Sequence, residues 1–231
     1  MKKIIALIVI IACSLGIIAF GIVYLINEIN YKNSDVYFNK LKQEKLQVTL
    51  HDITFLGDSI TSGYDVYNKL PKTQAIYKSG LAASKMFTSK FVYTDDDVDL
   101  TDTLKKLQPK ILYVAFGMND LNDTPENFYK TYKENILKIM DICPDTKLAI
   151  VSITPINNQQ FTNQAVDNFN NIIKKIVSEI NSDRCKYFNV HDYLSDSNGK
   201  LKDDYNAGDG THLCPYAYDK LLDYIADNPV Y

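Results

Sequence analysis

The chain has 231 residues, of which 46% are hydrophobic and 23% charged, with a formal net charge of −3. These values exclude a disordered tail, a collagen-like fibre and a polar low-complexity protein, and the length fits one domain or two small ones. The hydrophobic residues are unevenly spread. Residues 4–26 carry no charge, and only Ser14, Gly16 and Gly21 interrupt their apolar run. As a helix this run would extend roughly 34 Å, enough to cross a bilayer core of about 30 Å. Lys2 and Lys3 precede it and no net charge follows over residues 27–32. The positive-inside rule then holds the N-terminus in the cytoplasm. The expected arrangement is a single-pass cell-membrane anchor at 1–26, a linker or stalk at 27–50 and an extracytoplasmic domain at 51–231. Two other readings stay open. Ala19-Phe20-Gly21 could serve as a signal-cleavage site, although the apolar run continues past it, and residues 10–13 faintly resemble a lipoprotein box ending at Cys13.

The acidic residues all lie beyond the anchor, so the domain is more acidic than the whole chain. That balance gives no electrostatic footprint for nucleic acid. Outside the anchor the cysteines are Cys143, Cys185 and Cys214. An odd count argues against a disulfide framework, and Cys143 and Cys185 could pair or remain free thiols.

Along the chain, residues 35–45 suit a short helix. Apolar, β-branched runs follow at 53–56, 75–77, 111–116, 148–153 and 187–190. Continuous apolar runs without alternation fit strands buried on both faces. Helical spacing appears at 101–107, at 125–142 with Pro125 in the first turn, at 166–180 and at 216–226. Strands alternating with helices predict a parallel sheet between two helical layers, with the active site at the carboxyl ends of the strands.

The segments just after those strands carry the chemistry. The first strand leads into Gly57-Asp58-Ser59, the second into Lys78-Ser79-Gly80, and the third into Gly117-Met118-Asn119-Asp120. The last leads through a loop to Asp209-Gly210-Thr211-His212. A serine, a carboxamide and an Asp–His pair on one sheet edge are the inventory for acyl transfer. The nucleophile needs a base, the base needs an acceptor that fixes its tautomer, and the oxyanion needs preorganised donors. Each residue also has a plainer reading. Ser59 could be only a helix N-cap, Gly57 and Gly80 turn glycines, and Asn119 a turn cap. Among the histidines, His51 lies at the wrong end of the first strand. His191 has Asp192 beside it and competes with His212. Asp209 and His212, three residues apart, can present both side chains to one pocket. There is no GxSxG elbow, phosphate loop or HExxH, and three scattered histidines do not make a zinc site.

Together these segments resemble the SGNH (GDSL) hydrolase family. ITFLGDSIT is similar to its first block, KSGLAAS to its second, GMND to its GxND block and DGTHL to its DxxH block, in the family's order. The resemblance implies a flavodoxin-like three-layer α/β/α fold with a five-stranded parallel sheet, behind the N-terminal transmembrane helix. It implies a serine esterase with Ser59 as nucleophile, His212 as base and Asp209 as its orienting carboxylate. Ser59 and Gly80 N–H groups and the Asn119 carboxamide would form the oxyanion hole. No cofactor and no metal is implied. The chain departs from the pattern where Lys78 and Ser79 replace an expected Asn. It departs again at Cys214, whose thiol follows the base by two residues and could itself be considered a nucleophile.

Location and family point to acyl, foremost acetyl, esters of a surface carbohydrate, and so to a small-molecule or polysaccharide ester as the partner. The alternatives are a lipid esterase using an apolar patch at Met86, Phe87 and Phe91, an acyltransferase, and a non-catalytic glycan- or protein-binding module. With no second domain, specificity must reside in short loops at the strand ends.

Overall fold

The computed structural model describes Ile22, residues 24–30, Lys32 and residues 35–231. Lys2, Lys3, Cys13 and most of the apolar run at 4–26 lie outside the described residues. Among the described residues no helix is long and apolar enough to cross a membrane. The chain divides into two units, one up to Val48 and one from Thr49 to Tyr231. Residues 24–30 are helical. Helix α1 spans Asp35–Leu50 and so runs past the end expected at residue 45. No Gly or Pro interrupts it before Gly57, and Lys40 and Glu44 are spaced for an i,i+4 pair at 3.9 Å.

In the second unit seven strands form one sheet: β1 (Ile53–Gly57), β2 (Ala75–Tyr77), β3 (Lys90–Tyr93), β4 (Asp96–Asp99), β5 (Ile111–Ala115), β6 (Lys147–Val151) and β7 (Cys185–Phe188). Their order is β4-β3-β2-β1-β5-β6-β7. The five expected strands are the parallel part, β2-β1-β5-β6-β7. The expected sheet of five strands is therefore corrected to seven, because β3 and β4 add an antiparallel hairpin beside β2. Their turn, Thr94-Asp95, has positive φ at both residues (52° and 72°). That is the geometry that matches the twist of a two-residue hairpin. Three of the four residues of β4 (DDVD) are acidic and two of the four are exposed, so its sequence lacks the apolar signature of a buried strand.

The helices are α2 (Ser59–Val66), α3 (Leu100–Leu107), α4 (Pro125–Ile142), α5 (Asn163–Ile180), α6 (His191–Leu194) and α7 (Pro215–Asp227). Successive strand residues point to opposite faces, so each strand feeds two cores. Leu56, Leu112, Val114, Leu148 and Ile150 join the aliphatic core with Leu104, Ile136, Ile139 and Ile173 of α3, α4 and α5. Phe55, Tyr113 and Phe188 build an aromatic layer on the other face, with centroids 5.4 and 5.3 Å apart along the row. Tyr64 of α2 and Tyr218 of α7 extend it. Several of the 17 tyrosines are thus core residues. The Tyr218 hydroxyl donates to Ile60 O at 2.7 Å, and a Cβ at Gly63 would lie 2.0 Å from that hydroxyl. Helices α2 and α7 therefore pack closely only because Gly63 has no side chain.

Met86 and Phe91 are fully buried in the core, and Phe87 packs against it under the Lys138 ammonium. That stretch presents no open apolar patch of the kind expected for a lipid chain. Cys143, Cys185 and Cys214 are all free thiols, and Cys143 and Cys185 are buried.

Candidate active site

Strand β1 is buried along its whole length and delivers Ser59 to the carboxyl edge of the sheet. A Cβ at Gly57 would lie 2.1 Å from Thr61 Oγ1 and 2.5 Å from Ala115 O, so only glycine lets the chain turn from β1 into α2 here. The N-cap of α2 is Asp58, not Ser59: its Oδ1 accepts the Ile60 N–H at 3.0 Å. Capping by Asp58 leaves the Ser59 hydroxyl free, and it meets His212 Nε2 at 3.0 Å. His212 Nδ1 lies 2.6 Å from Asp209 Oδ2. Asp209 Oδ1 accepts the N–H groups of Thr211 and His212, both at 2.8 Å. Partial desolvation raises the Asp209 carboxyl, but hydrogen bonds from the His212 ring and these two N–H groups outweigh it and hold the group at about 2. It is thus ionised across the working pH range and keeps the imidazole oriented.

His191 stands elsewhere. Its Nε2 faces Asp167 at 3.7 Å and its Nδ1 faces Asp192 at 3.4 Å, beneath α5. Its N–H is fixed by Ser152 Oγ at 2.9 Å. Cys214 sits at the N-cap of α7 and its thiol points to Asp204 O at 3.2 Å. His51 pairs with Asp52 at the amino end of β1. Ser59, Asp209 and His212 are thus brought together, and the rival groups are bonded in other places.

Asn119 lies on the short turn Met118–Asp120 after β5. Gly117, at φ 125°, allows that turn, because a Cβ there would lie 2.6 Å from Ile153. The Asn119 Nδ2 donates to Asp58 Oδ2 at 2.9 Å and lies 3.3 Å from Leu81 O. Gly80, at φ 71°, is the third residue of a turn closed by Leu81 N–H to Lys78 O at 3.3 Å. A turn of that kind calls for glycine at this place. The Ser59 N–H begins α2 and has no intrahelical acceptor. Ser59, Gly80 and Asn119 thus all stand on the segments that follow β1, β2 and β5, at the carboxyl edge of the sheet.

Two buried carboxylates lie just behind them. Burial pushes Asp58 up to about 7, with the negative Asp120 adding to the rise while bonds from Ile60 and Asn119 oppose it. Burial likewise pushes Asp120 up to about 6, against the Ala83 N–H that both its oxygens accept. Asp58 caps α2 and holds Asn119, and Asp120 ties down the backbone at Ala83 and Ser84. Neither role was read from the sequence, although both residues stand inside the GDS and GMND motifs that were singled out.

The loop that carries Asp209 and His212 is pinned from the β6 side. Asn157 N–H donates to Gly210 O at 2.7 Å, and Asn158 Nδ2 donates to Thr211 Oγ1 at 2.6 Å. A Cβ at Gly210 would lie 2.2 Å from Asn157 O. Asn206 Oδ1 accepts the N–H groups of Gly208 and Gly210. These asparagines also escaped the sequence reading, and the rule that sites collect at carboxyl strand ends would have drawn attention to 157 and 158.

A hydroxyl, an imidazole and an ionised carboxylate in line, beside preorganised donors, are equipped for acyl transfer through a serine ester. On a parallel sheet between helices, that set defines the class as a serine hydrolase of three-layer α/β/α fold. The GDSL-like lipase/acylhydrolase family model matches residues 55–220, and the chain belongs to that family. No curated protein sequence matches the chain. Solved structures share its fold. One is a Streptococcus pneumonia protein described provisionally as a platelet activating factor, at 19% identity and a TM-score of 0.59, covering 92% of this chain and 99% of that one. An acetyl xylan esterase matches at 16% identity and a TM-score of 0.57, covering 77% and 98%. A family 3 carbohydrate esterase from Clostridium thermocellum matches at 19% and 0.54, covering 75% and 92%. At these identities the likeness is one of fold. Together with the family it makes this protein an ester-hydrolysing enzyme, so the reading as a non-catalytic binding module is set aside.

Proposed function

We propose that the protein is a serine esterase that removes small acyl groups, acetyl foremost, from a carbohydrate. The observation that carries the reading is the continuous path from Ser59 Oγ to His212 Nε2 (3.0 Å) and from His212 Nδ1 to Asp209 Oδ2 (2.6 Å). Ser59 attacks the ester carbonyl while His212 takes its proton. The oxyanion is held by the N–H groups of Ser59 and Gly80 and by the Asn119 carboxamide. His212 then protonates the leaving alcohol, and water repeats the sequence to free the acid and restore Ser59. Two further observations favour a carbohydrate ester over a lipid. The triad lies open, with His212 and Asp209 side chains 44% and 54% exposed, as suits a bulky alcohol attached to a small acyl group. The similarity in fold to an acetyl xylan esterase and a carbohydrate esterase points the same way. The apolar run at 4–26 is the basis for placing this chemistry at the outer face of a cell membrane, with the N-terminus cytoplasmic. Hydrolysis of 4-nitrophenyl acetate and octanoate by the full-length chain tests the reading. The acetate is expected to be the better substrate, and preference for octanoate would shift the assignment to a lipid esterase.

A further inference from the structure

Beside the triad lies a recess of about 170 Å³ lined by Met118, Asn119, Asn122, Asn158, Gln160, Phe161 and Thr211. It touches the site at two places. Asn119 is the carboxamide donor of the oxyanion hole, and Thr211 is the residue before His212. His212 must hand its proton to the leaving oxygen, so the alcohol part of the ester lies on the side where Thr211 forms the wall.

The lining is particular in its chemistry. Four of the seven side chains are carboxamides, one is a hydroxyl, and none is charged. Asn119, Asn158 and Thr211 are already engaged: Asn119 by Asp58, and the other two by each other. Asn158 Oδ1 also accepts the N–H groups of Gln160 and Phe161, which fixes the loop after β6 as the far wall. Among the described residues the side-chain amides of Asn122 and Gln160 have no hydrogen-bond partner. Each offers two donors and an acceptor to whatever enters. Met118 and Phe161 supply apolar surface beside them.

We infer that this recess is the subsite for the alcohol moiety and that Asn122 and Gln160 select a neutral polyhydroxylated ring, one sugar residue carrying the ester. The inference rests on the esterase reading above. Paired donor and acceptor groups match vicinal hydroxyls, which need both, and an apolar ring face matches Phe161 and Met118. A fatty chain placed here would strip water from the two unpartnered carboxamides, Asn122 and Gln160, and return no hydrogen bond. A phosphocholine or uronate head group would find no side chain of opposite charge in the lining.

The test compares the full-length protein with Asn122→Ala, Gln160→Ala and the double variant on three esters. These are 4-nitrophenyl acetate, an O-acetylated neutral methyl xyloside and the corresponding O-acetylated methyl glucuronoside. Each hydrogen bond lost should lower the ratio of kcat/KM on the xyloside to that on 4-nitrophenyl acetate by about 3- to 10-fold, and the double variant by at least about tenfold. The parent should prefer the neutral sugar over the acidic one. An unchanged ratio in the double variant would overturn the subsite, as would equal use of the two sugars, while leaving the esterase intact. Absence of turnover on all three esters would instead remove the esterase reading on which the subsite rests.

Discussion

Changing Asp58 to Asn separates its two tasks. Its Oδ1 accepts the Ile60 N–H and its Oδ2 accepts Asn119 Nδ2 at 2.9 Å. Asparagine keeps the first acceptor and remains a good N-cap, so α2 stays in place. At the second position it presents an NH₂ group to the NH₂ of Asn119. Two donors cannot bond, so Asn119 must turn its carbonyl toward residue 58, which takes its amide away from the orientation proposed for holding the oxyanion. Losing one such donor lowers kcat by on the order of 10²–10³. The same change acts on stability with its own pH signature. The native Asp58 holds its proton up to about 7, whereas the unfolded chain releases it near 3.8. Between those values the native state binds more protons, so stability falls as pH rises, by up to about 4 kcal/mol from this group. Asp120, raised to about 6, acts in the same sense. The assay is kcat on 4-nitrophenyl acetate together with thermal melts from pH 4 to 8. The parent should lose stability over that range, and Asp58→Asn should lose less of it while its kcat collapses. A kcat within about threefold of the parent, with the melting profile unchanged, would refute the positioning role.

Other consequences follow from single contacts. His212→Ala should lose activity by at least about 10³, while His191→Ala should remain active because its ring faces Asp167 and Asp192; parity of the two variants in kcat would contradict this. Gly57→Ala should destabilise the fold by about 2–3 kcal/mol by denaturant titration, since its Cβ would meet Thr61 and the Ala115 carbonyl. Gly80→Ala meets no neighbour but keeps a positive φ, so about 1–2 kcal/mol of backbone strain is expected, again by denaturant titration. A reducing agent should leave the melting temperature unchanged, because Cys143 and Cys185 are free thiols.

The parallel part of the fold was legible because burial on both faces writes itself as unbroken apolar runs. The run ITFLG at β1 and the run ILYVA at β5 needed no partner to be read. The hairpin β3–β4 was not legible, since an edge strand such as DDVD has one side in water and its apolar content falls with it. Helix α4 emerged with the bounds expected for it, Pro125–Ile142, because Thr124 and Pro125 mark its start and Phe128, Tyr132, Ile136 and Ile139 its buried stripe. At the site, Ser59, Asp209, His212 and Asn119 stood out by chemical type and by position after strands. What escaped were groups whose effect depends on a partner distant in sequence. Asp58 meets Asn119 across 61 residues, and Asn158 meets Thr211 across 53. No local pattern encodes such pairs, and they appear only once the sheet brings the loops together.

The central claim is that Ser59 carries the acyl group. Treatment of the full-length protein with a fluorophosphonate, followed by peptide mass spectrometry, reads that directly. The account predicts one stoichiometric adduct on Ser59, absent in Ser59→Ala along with all turnover of 4-nitrophenyl acetate. An adduct elsewhere, or turnover that survives in Ser59→Ala, would contradict it.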